Sequence, residues 1–240
     1  MSINAERLQM MQADSSIKQE AFALFLRMCE YRYSYNFTWL GRPIIQFPDD
    51  IVAMQEIIWR VKPDLIVETG IAHGGSLMLW ASMLALLGNH GQVLGVDVDI
   101  RQPNRVEIEA HPLAPAISMI QGSSIDPQIV AQVRERAARA QRVLLVLDSN
   151  HTHEHVLAEL GAYSPLVRAG SYLVVFDTVV EDMPDGSFPD RPWGKGNNPK
   201  TAVREFLAHN DRFEVDQAIE AKLLLTVAPG GYLRCLKDPA

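Results

Sequence analysis

The chain has 240 residues, 48% hydrophobic and 21% charged, which is enough apolar material for one large domain with a sizeable core. A formal net charge of -7 with no basic face argues against a nucleic-acid binder. Cys29 and Cys235 lack metal-type spacing and read as free thiols; with no membrane-length apolar stretch and no signal-peptide pattern, a cytoplasmic protein is expected.

Residues 3–30 carry a helical pattern, through Leu8, Met11, Ile17, Ala21, Leu24, Phe25 and Met28. The next stretch, 31–50, reads YRYSYNFTWLGRPIIQFPDD; it is aromatic, contains two prolines and has no clean period. It reads either as an irregular arm packed on the domain or a second subunit, or as a lid over a substrate pocket. Residues 1–49 are therefore set apart as an arm, and 50–240 as the main domain.

From Asp50 the pattern alternates: a helix over 50–61, strand 64–68, a glycine-rich turn, a helix over 75–87 and strand 92–97. A helical stretch over 104–110, strand 116–121, a helix from Pro127 and strand 142–148 follow. A further helix ends near 168–170, and strand 171–177 leads into a long loop over 181–199 and a helix over 200–209. Segments 222–229 and 231–236 are expected to close the chain as a hairpin. Short apolar strands alternating with helices indicate an α/β fold with a mostly parallel, doubly wound sheet. Ligands bind such sheets outside the C-terminal strand ends. Four of the first five strands end on a carboxylate, at Glu68, Asp97, Asp148 and Asp177, which predicts a polar site along that edge.

The first turn, VETGIAHGGSL, has glycines at 70, 74 and 75, so its backbone can turn sharply and approach a ligand closely. It is neither G-x-G-x-x-G nor a Walker loop, and it lacks the lysine that a triphosphate needs. Its E-x-G-x-x-x-G-x-S pattern resembles the first motif of class I S-adenosylmethionine-dependent methyltransferases. The resemblance implies a Rossmann-like fold and cofactor contacts from Glu68, Gly70, Gly74 and Ser76, with Asp97 on the ribose hydroxyls. QGSSIDP after the third strand is similar to the segment that frames adenine in catechol O-methyltransferase-like enzymes, which implies Gly122, Ser123 and Ser124 for that role. Ser124 and Asp126 alternatively cap the following helix.

In those enzymes the ends of strands four and five hold a divalent metal. The resemblance assigns Asp148 and Asp177 to Mg²⁺, Thr178 as a weaker neighbouring ligand, and Asp148 also to the cofactor's surroundings. LLVLDSNHTHEHV places His151, His153 and His155 after Asp148, but the zinc pattern H-E-x-x-H is absent. His151 stands where the family carries a lysine base; an imidazole suits proton abstraction at neutral pH, and helix capping or support of the metal shell is the alternative. His153 is expected beside the metal or substrate, and His155 to be structural. His73 is left open between cofactor and solvent. WGKGNN, 193–198, is either a sugar-binding lid or a disordered surface loop.

Over about residues 31–234 the chain resembles a narrower group, the cephalosporin hydroxylase and rhamnosyl O-methyltransferase family. The resemblance rests on YSYNFTWLGRPIIQFPDDIVAMQEIIW, VETGIAHGGSL, LDSNHTHEHV and PWGKGNNPKTAVREFL. It implies S-adenosylmethionine, a divalent cation, a small-molecule hydroxyl acceptor (a sugar or natural product) and a homo-oligomer. Phe176 stands where that family's strand-five ending carries an acid; Glu181 or Asp182 would have to fold back to replace it. The alternatives are a hydroxylase-like component of an oxidative step and a catalytically silent cofactor-binding scaffold; an NAD-dependent oxidoreductase is disfavoured by the glycine spacing.

Overall fold

The computed structural model describes residues 5–88 and 90–239; positions 1–4, 89 and 240, over which the expected arm and domain extend, lie outside the described residues. The N-terminal helical stretch is two helices, α1 (Ala5–Ala13) and α2 (Ser15–Glu30). Asp14 ends the first and caps the second, accepting from the backbone N–H of Ser16 and Ile17. The aromatic segment then forms an antiparallel hairpin, β1 (Phe37–Trp39) and β2 (Arg42–Ile44), which lack of alternation had concealed.

The main domain runs α3 (Pro48–Val61), β3 (Leu65–Thr69), α4 (Gly75–Leu87), β4 (Gln92–Asp97), α5 (Gln102–Glu109), β5 (Ile117–Gln121), α6 (Pro127–Ala137) and β6 (Val143–Leu147). It continues with α7 (His153–Tyr163), β7 (Tyr172–Val175), α8 (Pro199–Ala208), β8 (Phe213–Val215), α9 (Gln217–Glu220) and β9 (Tyr232–Cys235). The sheet order is β5-β4-β3-β6-β7-β9-β8. The strands β5 to β7 in that order are parallel, and β9 is antiparallel to both of its neighbours.

An antiparallel pair does close the chain, but its strands are β8 and β9. The expected strand over 222–229 is irregular. Its backbone groups are used elsewhere: Val227 N–H donates to buried Asp50 at 2.9 Å, and Val227 C=O accepts from Val179 N–H at 3.1 Å. Its apolar residues face the molecule without joining a ladder.

Strand side chains alternate between two cores. Ile66, Leu144, Val146 and Val174 meet α3 and α4 on one face, while Val67, Leu145, Leu147 and Leu173 meet α6, α7 and α8 on the other. Successive strands spread from β3 in one direction to β4 and β5, and from β6 in the other to β7. The order therefore reverses between β3 and β6, and a crevice opens at their C-terminal ends. Among the described residues no helix is long and apolar enough to cross a membrane.

A candidate active site at the sheet's switch point

The crevice is an open cleft of about 1340 Å³, larger than most single-ligand pockets. One side is the turn after β3. Gly70 takes φ +91°, and a Cβ there would overlap the carbonyl oxygen of Asp148, so the turn and the end of β6 pack backbone to backbone. Gly74 takes φ +83° at the N-cap of α4, and its missing side chain makes room for Ile108. Asp97, at the end of β4, accepts from Ile71 N–H at 2.7 Å and Ala72 N–H at 3.3 Å through Oδ2, and from Asp99 N–H at 2.9 Å through Oδ1. It therefore shapes the turn as well as lining the cleft.

Gly70, Ser76, Asp97, Ser123, Ser124 and Asp148 all line the cleft. Glu68 and Gly74 do not. Glu68 is fully buried behind the turn, where its carboxylate accepts from Ser76 Oγ at 2.9 Å. Burial, with the nearby charge of Asp148 next, pushes its carboxyl up to about 8; Ser76 and the indole of Trp80 oppose the shift. Trp80 Nε1 and Glu68 Oε1 both stop short of a formed hydrogen bond. The strand pattern placed Glu68 at the end of β3; in fact Thr69 ends it.

Opposite the turn, Asp148, His151 and Asp177 converge, each offering an atom within 4.8 Å of the others. Asp148 follows β6 directly. Asp177 lies beyond β7 in a left-handed conformation, φ 56°, that aspartate tolerates better than most residues and that lifts it out of the strand line. His151 precedes α7, in the loop that the strand end throws over the cleft, with Nε2 3.0 Å from Asp177 Oδ2. Trp193 meets the imidazole edge to face at 4.8 Å. Burial, followed by the charges of Asp177 and then the neighbouring acids, pushes Asp148 up to about 7, with His151 pulling it down. Burial disfavours a charged His151, but Asp177, Asp148 and Glu159 together outweigh it and hold the imidazole above the ordinary histidine range.

Thr178, expected next to the second acid, is buried, does not line the cleft, and donates to Pro229 C=O at 2.9 Å. Neither proposed stand-in for an acid at 176 reaches the cluster. Glu181 accepts from Gly196 N–H at 2.8 Å and Asn198 Nδ2 at 2.6 Å, and Asp182 pairs with Lys200 at 2.5 Å. Phe176 turns into the core against Tyr232, with ring centroids 6.5 Å apart. His153 is also displaced from its expected place: it joins α7 to α8 through Thr201 Oγ1 at 2.8 Å and Glu205 at 3.2 Å.

His155 does serve the framework, and it also borders the cleft. Its Nε2 lies 3.0 Å from Ser124 Oγ and 3.4 Å from Ser149 Oγ, over fully buried Glu159. Ser149 Oγ donates to Glu159 at 2.8 Å, so the segment after β5 and the segment after β6 share one polar network. Asp126 caps α6 as its position suggested, accepting from Gln128 and Ile129 N–H. The WGKGNN loop is ordered: Gly194 and Asn197 bridge, Asn197 Oδ1 accepts from His153 N–H at 2.9 Å, and Asn198 forms a capping box with Thr201.

The arm folds back over the same cleft. Phe25, Cys29, Tyr33, Phe47, Met183 and Phe188 line an apolar chamber beside the acidic cluster. Gln46, 3% exposed, donates to Asp148 Oδ2 at 3.4 Å. Sequence reading missed Gln46; an amide set in the apolar run IIQF was the available signal.

Set against known proteins, residues 31–236 match the family described as Rhamnosyl O-methyltransferase/CmcI. The Rhamnosyl O-methyltransferase of Mycobacterium leprae (strain TN) is 30% identical over 197 residues, covering 82% of each chain. The protein of the same description from Mycobacterium tuberculosis (strain ATCC 25618 / H37Rv) is 32% identical over 202 residues, 82% of this chain and 77% of that one. Among solved structures, an apo-structure of CmcI aligns with a TM-score of 0.62 at 19% identity, covering 85% of this chain and 78% of its own. A Mg-SAM structure of CmcI gives 0.60 at 20%, over 84% and 77%. An O-methyltransferase from Bacillus cereus in complex with SAH gives 0.53 at 15%, over 93% and 92%. These structural likenesses establish a shared fold.

Proposed function

The chain belongs to the Rhamnosyl O-methyltransferase/CmcI family as an S-adenosylmethionine-dependent O-methyltransferase, and we propose that it methylates a hydroxyl of a sugar or natural product with the help of a divalent cation. The observation that carries this reading is the convergence of Asp148, His151 and Asp177 across the cleft from the glycine turn. The donor set suits a cation. Burial and mutual repulsion hold Asp148 far above its ordinary range, and a divalent ion at the convergent atoms would relieve both costs. Mg²⁺ is the ion we favour, since two hard carboxylates lead the set. The Mg-SAM structure of CmcI supports the same pairing of cation and cofactor.

When bound, S-adenosylmethionine supplies an electrophilic methyl group and the cation lowers the pKa of the acceptor hydroxyl. The residues of the chain supply the rest. The turn with Gly70 and Ser76, together with Asp97, Ser123 and Ser124, cradles the cofactor; Glu68 and Gly74 shape that cradle from behind. Asp148 and Asp177 hold the cation. A cation on Asp148 and Asp177 would offset the charges that hold the His151 imidazole up, leaving it neutral to take the acceptor's proton, with Trp193 fixing the plane of the ring. The chamber of Phe25, Phe47 and Phe188 beside this cluster receives the acceptor's apolar body, and its alignment with the donor supplies much of the rate.

A second reading follows from the geometry: His151 is within the 4.8 Å group and so is placed to act as a third ligand in place of a base. Calorimetric titration with S-adenosylhomocysteine and with Mn²⁺, on the unmodified protein and on His151→Gln, tests both. Binding of both ligands by the unmodified protein is expected. In the variant, a base role predicts unchanged Mn²⁺ affinity and turnover lowered by about 10²-fold or more, whereas a ligand role predicts that Mn²⁺ affinity falls. Failure of the unmodified protein to bind S-adenosylhomocysteine would overturn the cofactor assignment.

A further inference from the structure

We infer that Arg42, in the N-terminal hairpin and outside the cofactor-binding sheet, is a positioning residue that holds the turn 70–74 in its donor-binding shape. The inference rests on the cofactor reading given above. The hairpin lies directly on the turn: Gly75 packs so closely on β2 that a Cβ would overlap the carbonyl of Pro43. Trp39 Nε1 donates to Ser82 Oγ at 3.0 Å, which seats the hairpin on α4.

From that seat the largely buried Arg42 side chain reaches across. Its Nε and Nη2 donate to His73 C=O at 3.1 and 2.8 Å, Nη2 also donates to Asn104 Oδ1 at 3.2 Å, and Nη1 lies 3.7 Å from Glu107. Asn104 Nδ2 in turn donates to Ala72 C=O at 2.8 Å. Two consecutive carbonyls of the turn are therefore held from outside, one by Arg42 and one by the residue Arg42 orients. A peptide unit is planar, so fixing these carbonyls fixes the N–H groups of His73 and Gly74 that follow them.

The turn needs such a hold. Ala72 is non-glycine at φ 46°, a conformation an isolated chain avoids. On the inner side Asp97 grips the turn through the N–H groups of Ile71 and Ala72, and Gly70 N–H donates to Val96 C=O at 2.8 Å. Asp97 and Arg42 thus clamp one short loop from opposite sides, and both Ala72 and His73 line the cleft. The planar fork adds rigidity to this geometry: Nε and Nη2 together hold the His73 carbonyl, and a lysine on its flexible stem keeps at most one of those two contacts.

The test is titration of metal-free protein with S-adenosylhomocysteine, and separately with Mn²⁺, on the unmodified chain, Arg42→Ala, Arg42→Lys and Asn104→Ala. Arg42→Ala is expected to weaken S-adenosylhomocysteine by about tenfold while Mn²⁺ affinity stays within about twofold, because preorganisation of the turn is lost and the acidic cluster is untouched. Arg42→Lys should recover part of the loss, and Asn104→Ala should weaken S-adenosylhomocysteine with the same selectivity. Should Arg42→Ala fail to fold, the other two variants carry the test. The inference is overturned if the folded variants bind S-adenosylhomocysteine as well as the unmodified chain, or if both ligands weaken together. Should the unmodified chain itself not bind S-adenosylhomocysteine, the cofactor reading falls, and this inference with it.

Discussion

Around the half of the cleft proposed for the donor the contacts go to backbone: Asp97, Arg42 and Asn104 grip N–H and C=O groups of one short turn, and glycines admit neighbouring main chain. Around the half proposed for the acceptor they go to side chains that arrive from α2, the hairpin's exit, the ends of β6 and β7, and the loop before α8. A backbone cradle tolerates little change in shape and suits a ligand that never varies. A side-chain chamber can be repacked one residue at a time, which suits an acceptor of variable shape. The two halves touch at Gly70 and Asp148, where a single methyl group would collide.

The sharpest break in this comparison is Asp148→Asn. It should abolish Mn²⁺ binding and lower turnover by several kcal/mol of barrier, on the order of 10³-fold. S-adenosylhomocysteine affinity should change little; equal loss of both affinities would show that the halves do not separate in this way. Next in size is Gly70→Ala, which adds a Cβ against the Asp148 carbonyl at a positive φ. A loss of stability of about 3 kcal/mol or more is expected by chemical denaturation, with both ligands weakened together. A variant as stable as the original would contradict the close backbone contact.

The smallest effect separates proton from metal at the acceptor half. Asp148 goes from its ordinary value near 3.8 up to about 7 in the folded chain. The native state therefore keeps a proton that the unfolded chain has already lost. Its contribution to stability is fully present below the unfolded value and disappears as pH rises through the folded one. Asp50 and Glu68, raised to about 6 and about 8, act in the same direction. They lie outside the convergent cluster, so the Mg²⁺-dependent difference isolates that cluster. Mg²⁺ competes with the proton there, so it should raise the melting temperature by about 4 °C or more near pH 8 and hardly at all near pH 5. Equal gains at both pH values would remove Asp148 from the cation site.

Most of the cleft wall around the glycine turn was legible before any coordinates. Gly70, Asp97, Ser123 and Ser124 sit beside strand ends that apolar runs announce, and a parallel sheet brings successive strand ends to one edge. The acceptor half was read only in part. Asp148 and Asp177 followed from the same strand-end logic, and His151, expected beside them by resemblance, joins their cluster from the loop before α7. Thr178 and Glu181 were misread because proximity in sequence to Asp177 does not say which way a short turn of helix faces after a left-handed residue.

The sequence by itself therefore determined the class of fold, the order of its five parallel strands along the chain and the glycine turn with its acids. Each of these rests on period, capping or conformational freedom within a few residues. Tertiary structure alone decided that 222–229 would bond to Asp50 and the loop after β7 instead of to a strand, that Gln46 would reach Asp148, and that Arg42 would clamp the turn. Those outcomes depend on which separated segments meet, and a buried donor or acceptor takes the partner that packing of the whole chain brings within reach.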